Sequence, residues 1–195
     1  VAGWSEVYMN ASLESYLKGY NDPRIKSYFN LAQDGRDKEG NIIKEVAGVK
    51  QLNSIEGEYK GVRQGTGVAD NRYSTHSQTA ITTGSKIIVM SAAEVWFLRA
   101  EAALRNYTSE NVENCYKQGI TVSFAQWDAS GVSEYLESEE TPAAYVDAFD
   151  KKFDADAPTS ITPKWDESAP LELKLERIIT QKWLAIYPEG CEAWA

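Results

Sequence analysis

The chain has 195 residues, enough for one large or two small domains with a sizeable core, and its 43% hydrophobic and 25% charged residues are ordinary for a folded globular protein. A net charge of −9 and a pI of about 4.8, with Lys and Arg dispersed along the chain, argue against nucleic acid as a partner, because a phosphate backbone needs a basic stripe. No apolar run approaches the roughly eighteen residues that a membrane-spanning helix requires. The 6 Trp and 11 Tyr are the unusual feature, since each joins a broad apolar face to a polar tip and can serve either a core or a binding surface.

From the start, Val1 to Tyr8 reads as extended. Asn10–Lys18 reads as a short helix stopped by Gly19, and Asp22 as the cap of a second short helix with Pro23 at its first position and Ile25, Tyr28 and Phe29 on its buried face. Between Gln33 and Gly84 frequent glycines punctuate short segments such as Asn41–Val46 and Glu58–Arg63, which predicts short strands and long loops. Lys86–Val89 reads as a short strand leading into the longest helical pattern of the chain, Ser91–Arg105. There Ser91 is the cap, Glu94 its capping-box partner, and Ala92, Trp96, Ala100, Ala103 and Leu104 share one face.

A second helix is predicted from Ser109 or Asn111 to Phe124, with Val112, Cys115, Tyr116, Gly119, Ile120 and Ser123 facing the first. Gly119 stands where close packing excludes a side chain. The pair has about the length of a tetratricopeptide unit. Trp127–Thr141 reads as an acidic connection, Thr141–Phe149 as a third helix, and Ser168–Tyr187 as the last, with Leu171, Leu175, Ile178, Ile179, Lys182 and Ile186 on its apolar face. Cys115 and Cys191 are expected to be free thiols rather than a long-range disulfide. The start without Met and the unfinished helical pattern at Glu192–Ala195 lead us to expect a fragment of a longer protein.

Enzyme signatures fail in turn. One histidine cannot build a multi-His metal site, and Gly61–Gly67 lacks the Lys-Thr and the strand-to-helix setting of a phosphate loop. Asp154-Ala-Asp156 lacks the remaining ligands of a calcium loop, and nothing singles out a glycosidase-like carboxylate pair among the 29 acidic residues. No catalytic residue, cofactor or metal is expected.

Four stretches together resemble the SusD/RagB-like outer-membrane lipoproteins of glycan uptake systems. They are Tyr16-Leu-Lys-Gly19 with Asp22-Pro-Arg24; Tyr59–Gly65; Met90–Leu104; and Ile178–Pro188 with Glu192-Ala-Trp194. The resemblance covers nearly the whole chain. It implies a mostly α-helical fold with irregular loops and a few short strands, built around tetratricopeptide-like helix pairs. It further implies a single domain that is part of a larger SusD-like one, with residues 1–84 as a loop-rich ligand side, 85–127 as a helix pair and 128–195 as further helices. The function implied is non-catalytic binding of oligosaccharide, or of peptide in some members, as a lid on a TonB-dependent transporter barrel. Such a protein sits at the extracellular face of the outer membrane through a lipid anchor that this chain does not carry.

The family's ligand residues vary, so none is transferred. Sugar recognition calls for aromatic platforms with hydrogen-bonding groups at their edges, and Tyr59, Arg63, Asp70, Asn71, Arg72 and Tyr73 supply that mixture, with Gln64 and His76 nearby and Trp127 as a second candidate. The competing reading is a surface loop whose Arg and Tyr tie down the fold. A helical-repeat scaffold for protein contact is the alternative function.

Overall fold

The computed structural model describes residues 7–35, 38–41, 45–65 and 71–190, Asn71 by its backbone alone. Three helices begin where the sequence supplies a side chain for the first unpaired N–H groups. Asn10 Oδ1 accepts from the Leu13 N–H at 2.7 Å and opens α1 (Ala11–Gly19). Ser91 Oγ accepts from Ala93 N–H at 3.2 Å and opens α3 (Ala92–Leu104), and Asn111 Oδ1 accepts from Asn114 N–H at 2.8 Å and opens α4 (Val112–Gln126). Among the described residues the other α-helices are α2 (Ile25–Tyr28), α5 (Val132–Leu136) and α6 (Leu171–Ala185), the last entered through Pro170. One antiparallel hairpin joins β1 (Glu45–Val46) to β2 (Val49–Lys50). Its turn residues Ala47 and Gly48 both take positive φ, the reversal that suits the twist of a tight hairpin. The fold is therefore mostly helical with irregular loops and few short strands, as expected.

The chain divides into two compact units, one made of residues 1–21, 25–85 and 142–158, the other of 22–24, 86–141 and 159–195. In the first unit, Ala32, Ile55, Tyr73, Ala148 and Phe149 form a buried cluster with Val46, Val49 and Val62 packed on it. Asn41–Val46 contributes a strand only at its end, and residues 42–44 lie outside those described. Glu58–Arg63 forms no ladder; Val62 makes one bridge to Asn10, the cap of α1, and Lys60 and Gly61 bond to Glu14 within the helix.

The helix predicted over Thr141–Phe149 is absent. That stretch is extended, burying Tyr145, Asp147 and Phe149 and exposing Val146, and Tyr145 exchanges both backbone hydrogen bonds with Ala155 at 2.8 and 3.0 Å. Asp147 Oδ1 accepts from the N–H groups of Phe149 and Asp150 at 2.9 and 3.1 Å, offering the backbone a local turn in place of a helix.

In the second unit α3 packs on both α4 and α6. The buried face of α3 is Ala93, Phe97, Ala100 and Ala103, one position on from the predicted start, so Trp96 stands at the edge of the face. Trp96 is half-buried under the Arg99 guanidinium, 3.8 Å from its ring centre, and Arg99 in turn forks onto Glu110. On α4 the expected face is buried apart from the half-buried Val112, and includes Gly119 and the free thiol of Cys115; Cys191 lies outside the described residues. The connection after Trp127 contains α5, whose Tyr135 is buried.

The last helix buries Ile178 and the adjoining Ile186 as predicted, but otherwise a different stripe. Arg177, Gln181, Leu184 and Ala185 face inward, while Leu171 and Ile179 are exposed, because the core here accepts polar partners. Those partners surround Arg24. Asp22, expected to cap the second short helix, accepts the Arg24 N–H at 3.0 Å just before α2, and its carboxylate also takes the Arg24 guanidinium, with Nε 3.0 Å from Oδ1 and both side chains 0% exposed. Arg24 also donates to Ser123 Oγ on α4 at 2.8 Å and lies over the Phe124 ring at 4.9 Å.

Lys86–Met90 precedes α3 and forms no strand. None of its backbone groups is hydrogen-bonded among the described residues, and Ile87 and Val89 are 90% and 94% exposed. Among the described residues no helix is long and apolar enough to cross a membrane.

Candidate functional site

Three extended segments of the first unit are stitched side by side by backbone hydrogen bonds. Asn30 N–H donates to Gln78 C=O and Gln33 N–H to Thr75 C=O, at 2.8 and 2.9 Å. Ala32 N–H donates to Glu58 C=O at 2.7 Å, and Gly57 N–H returns to Ala32 C=O at 3.0 Å. These bonds bring residues 26–34, Tyr59 and residues 74–78 around one concave surface of about 620 Å³.

The chemistry of that surface is set by what its side chains leave uncommitted. Lys26, Gln33, Tyr59, Ser74, Thr75 and His76 all line it, and none of their side chains has a hydrogen-bond or ion-pair partner among the described residues. Lys26, Gln33 and Ser74 are exposed and Tyr59 is half-buried. Desolvation raises the Tyr59 hydroxyl above its ordinary pKa, so it stays protonated and able both to donate and to accept. The Thr75 hydroxyl and both ring nitrogens of His76 are buried and unsatisfied, a cost that buried polar groups normally avoid. His76 is 2% exposed, stacks on Phe149 and meets Tyr73 edge-on. Burial and then the Lys60 ammonium lower its pKa to about 4, so the imidazole is neutral around pH 7 with one donor and one acceptor nitrogen.

A second hollow of the same unit, about 380 Å³, is lined by Glu14, Lys18, Lys60 and Asp147 among others, but these charged groups are already engaged. Glu14 accepts from Lys60 Nζ at 2.9 Å and from Gly61 N–H at 2.7 Å, and Asp147 takes both the Tyr73 and Tyr145 hydroxyls at 3.2 Å. The first surface is the better candidate for a ligand because the side chains of Lys26, Gln33 and Ser74, all exposed, and of the half-buried Tyr59 are uncommitted there.

Of the residues singled out from the sequence, Tyr59 and His76 line this surface. Arg63 and Tyr73 do not. Tyr73 is buried, its hydroxyl taking a hydrogen bond from Arg63 Nε at 3.1 Å and giving one to Asp147, while the Arg63 guanidinium covers the Phe153 ring at 3.7 Å. This is the fold-holding arrangement that the competing reading anticipated. Arg72 lies over the Tyr73 ring at 5.6 Å, Asp70 falls outside the described residues, and for Asn71 only the backbone is described. Trp127 is half-buried beside Tyr187 in the second unit. The sequence reading missed Lys26, Gln33, Ser74 and Thr75. The polar run around Tyr73 and His76 was the one local signal available for the last two.

The sequence profile of the SusD-like family, the Susd and RagB outer membrane lipoproteins, matches residues 1–195. Among solved structures, a SusD homologue from Bacteroides vulgatus is 40% identical with a TM-score of 0.82, over 99% of this chain and 37% of that one. A chitin-binding SusD homologue from Flavobacterium johnsoniae is 38% identical with a TM-score of 0.78, over 96% of this chain and 36% of that one. A SusD-like protein from Bacteroides thetaiotaomicron is 34% identical with a TM-score of 0.79, over 100% of this chain and 38% of that one. A search of the curated proteins finds no match. The chain thus spans little more than a third of the length of these solved relatives. With the profile matched from end to end and a shared fold at this level of identity, the chain belongs to the SusD and RagB family of outer membrane lipoproteins.

Proposed function

We propose that this chain belongs to a non-catalytic glycan-binding protein that works at the extracellular face of the outer membrane as the partner of a TonB-dependent transporter. The observation that carries the reading is the concave surface on which six side chains hold uncommitted hydrogen-bonding groups beside the half-buried ring of Tyr59. Sugar rings ask for this combination of an apolar face and edge donors and acceptors. The family and its chitin-binding member support the ligand class, and the family's description as outer membrane lipoproteins supports the location.

The test is titration of the purified chain against labelled oligosaccharides. Saturable binding lost in Tyr59→Ala and Gln33→Ala, and kept in Asn53→Ala at the second hollow, supports the reading. Absence of binding to every oligosaccharide counts against it. Lys86–Met90 favours a second reading, a protein-contact scaffold, because Ile87 and Val89 lie almost wholly in water. Recovery of a barrel protein in a pull-down without any sugar binding would favour that alternative.

A further inference from the structure

Resting on the glycan-binding reading of the Tyr59–His76 surface, we infer that its ligand is an uncharged, hydroxyl-rich oligosaccharide rather than a uronate-bearing or sulfated one. Five of the six uncommitted groups, on Gln33, Tyr59, Ser74, Thr75 and His76, can offer both a donor and an acceptor. A sugar hydroxyl or acetamido group has the same dual character, so each contact can satisfy both sides. A carboxylate or sulfate only accepts, and would leave the acceptor half of these groups unmatched on desolvation.

Recognition of such anions relies on charge-assisted bonds, above all from the fork of arginine. Among the described residues no arginine lines this surface, the one lining cation is the exposed Lys26, and the one lining carboxylate is Asp34. Asp34 is buried and taken up by Gln51 Nε2 at 3.1 Å, the Ile55 N–H at 3.0 Å and the Ser54 hydroxyl. A single solvated ammonium contributes little to holding a polyanion. A different property points the same way: the chain carries a net charge of −9, which repels a polyanionic chain before contact. At the buried end, His76 remains neutral until the pH approaches about 4, so this part of the surface gains no cation under mildly acidic conditions.

The experiment is affinity electrophoresis of the full chain in gels containing laminarin, glucomannan or soluble chitin oligosaccharides, against gels containing polygalacturonate or chondroitin sulfate, at pH 5.5 and 7.5. Retardation is expected in at least one uncharged gel, in neither anionic gel, and to the same extent at both pH values. Gln33→Ala and Ser74→Ala, both at exposed positions that leave the fold intact, should weaken retention fivefold or more, while Lys26→Ala changes it less than twofold. Retention in an anionic gel that is lost on Lys26→Ala overturns the inference and leaves the glycan-binding reading standing. Absence of retention in every gel overturns both.

Discussion

Gly119 on α4 lies against the ring of Phe97 on α3, so closely that a Cβ at position 119 would sit 2.7 Å from Phe97 Cζ. Phe97 is 0% exposed and has no room to retreat. Alanine gains about 1 kcal/mol of helix propensity over glycine, but overpacking costs about 1–3 kcal/mol, so the steric term wins. Gly119→Ala should lower stability in urea unfolding, and the same change in a Phe97→Leu background should be neutral or stabilising. A stabilised single variant would show that the two helices separate easily.

The buried pair Asp22–Arg24 should be far more costly to break than to remove. Arg24→Met leaves a carboxylate buried without its counter-ion and should cost about 3–5 kcal/mol, whereas Asp22→Asn together with Arg24→Met should recover part of that loss. At about 2–4 °C per kcal/mol for a chain of this size, thermal unfolding should shift by about 10 °C for the single change. Equal losses in the single and double variants would argue against a coupled pair.

His76 links the first unit to pH. Its pKa falls from the ordinary 6.5 to about 4 on folding, through desolvation first and the Lys60 ammonium second, with Asp147 opposing. The unfolded chain therefore binds the extra proton first. Stability should be undiminished above pH 6.5 and fall as pH drops from 6.5 to 4, by about 3 kcal/mol in all. Denaturant titrations across this window should show a shallower acid limb in His76→Phe. Identical limbs would mean that His76 is not buried as described.

Tyr73→Phe removes the hydroxyl shared by Arg63 and Asp147. The loss should be about 1–2 kcal/mol of stability, with oligosaccharide affinity unchanged because Tyr73 does not line the candidate surface. A large fall in affinity without a fall in stability would return Tyr73 to the binding site.

The backbone of Lys86–Met90 should exchange its amide hydrogens at nearly the unprotected rate, while the amides in the middle of α3 are protected. Mass-resolved exchange at several protein concentrations checks this. Protection that grows with concentration would mean that this segment pairs with a second copy.

The helix pair was the most legible part of the sequence because its signals are local. Ser91 and Asn111 cap as read, and Gly119 marks the close approach. The phase of α3 was harder, since alanines at 92 and 93 and again at 102 and 103 let either face pass for the core. Thr141–Phe149 misled for a different reason. Tyr145 and Phe149 are spaced both for a helix and for alternate positions of an extended segment, and the Asp147 carboxylate decides for the latter through contacts that no pattern displays. The candidate surface was legible only at Tyr59 and His76. The segment carrying Lys26 and Gln33 reaches it through backbone bonds from Asn30 and Gln33 to residues more than forty positions away.

The interleaving of the two units has a consequence for how the chain comes off the ribosome. The path passes between them at residues 21, 24, 85, 141 and 158, so no single cut releases either one whole. A truncation at Ser85 would strip the first unit of Ala148 and Phe149, two of the five residues of its buried cluster. During synthesis the Tyr59–His76 segments emerge before Phe149, and until it follows the ring of His76 lacks the partner on which it stacks. Completion of the candidate surface is thereby tied to translation as far as Phe149, and polypeptides that stop short of it should not bind.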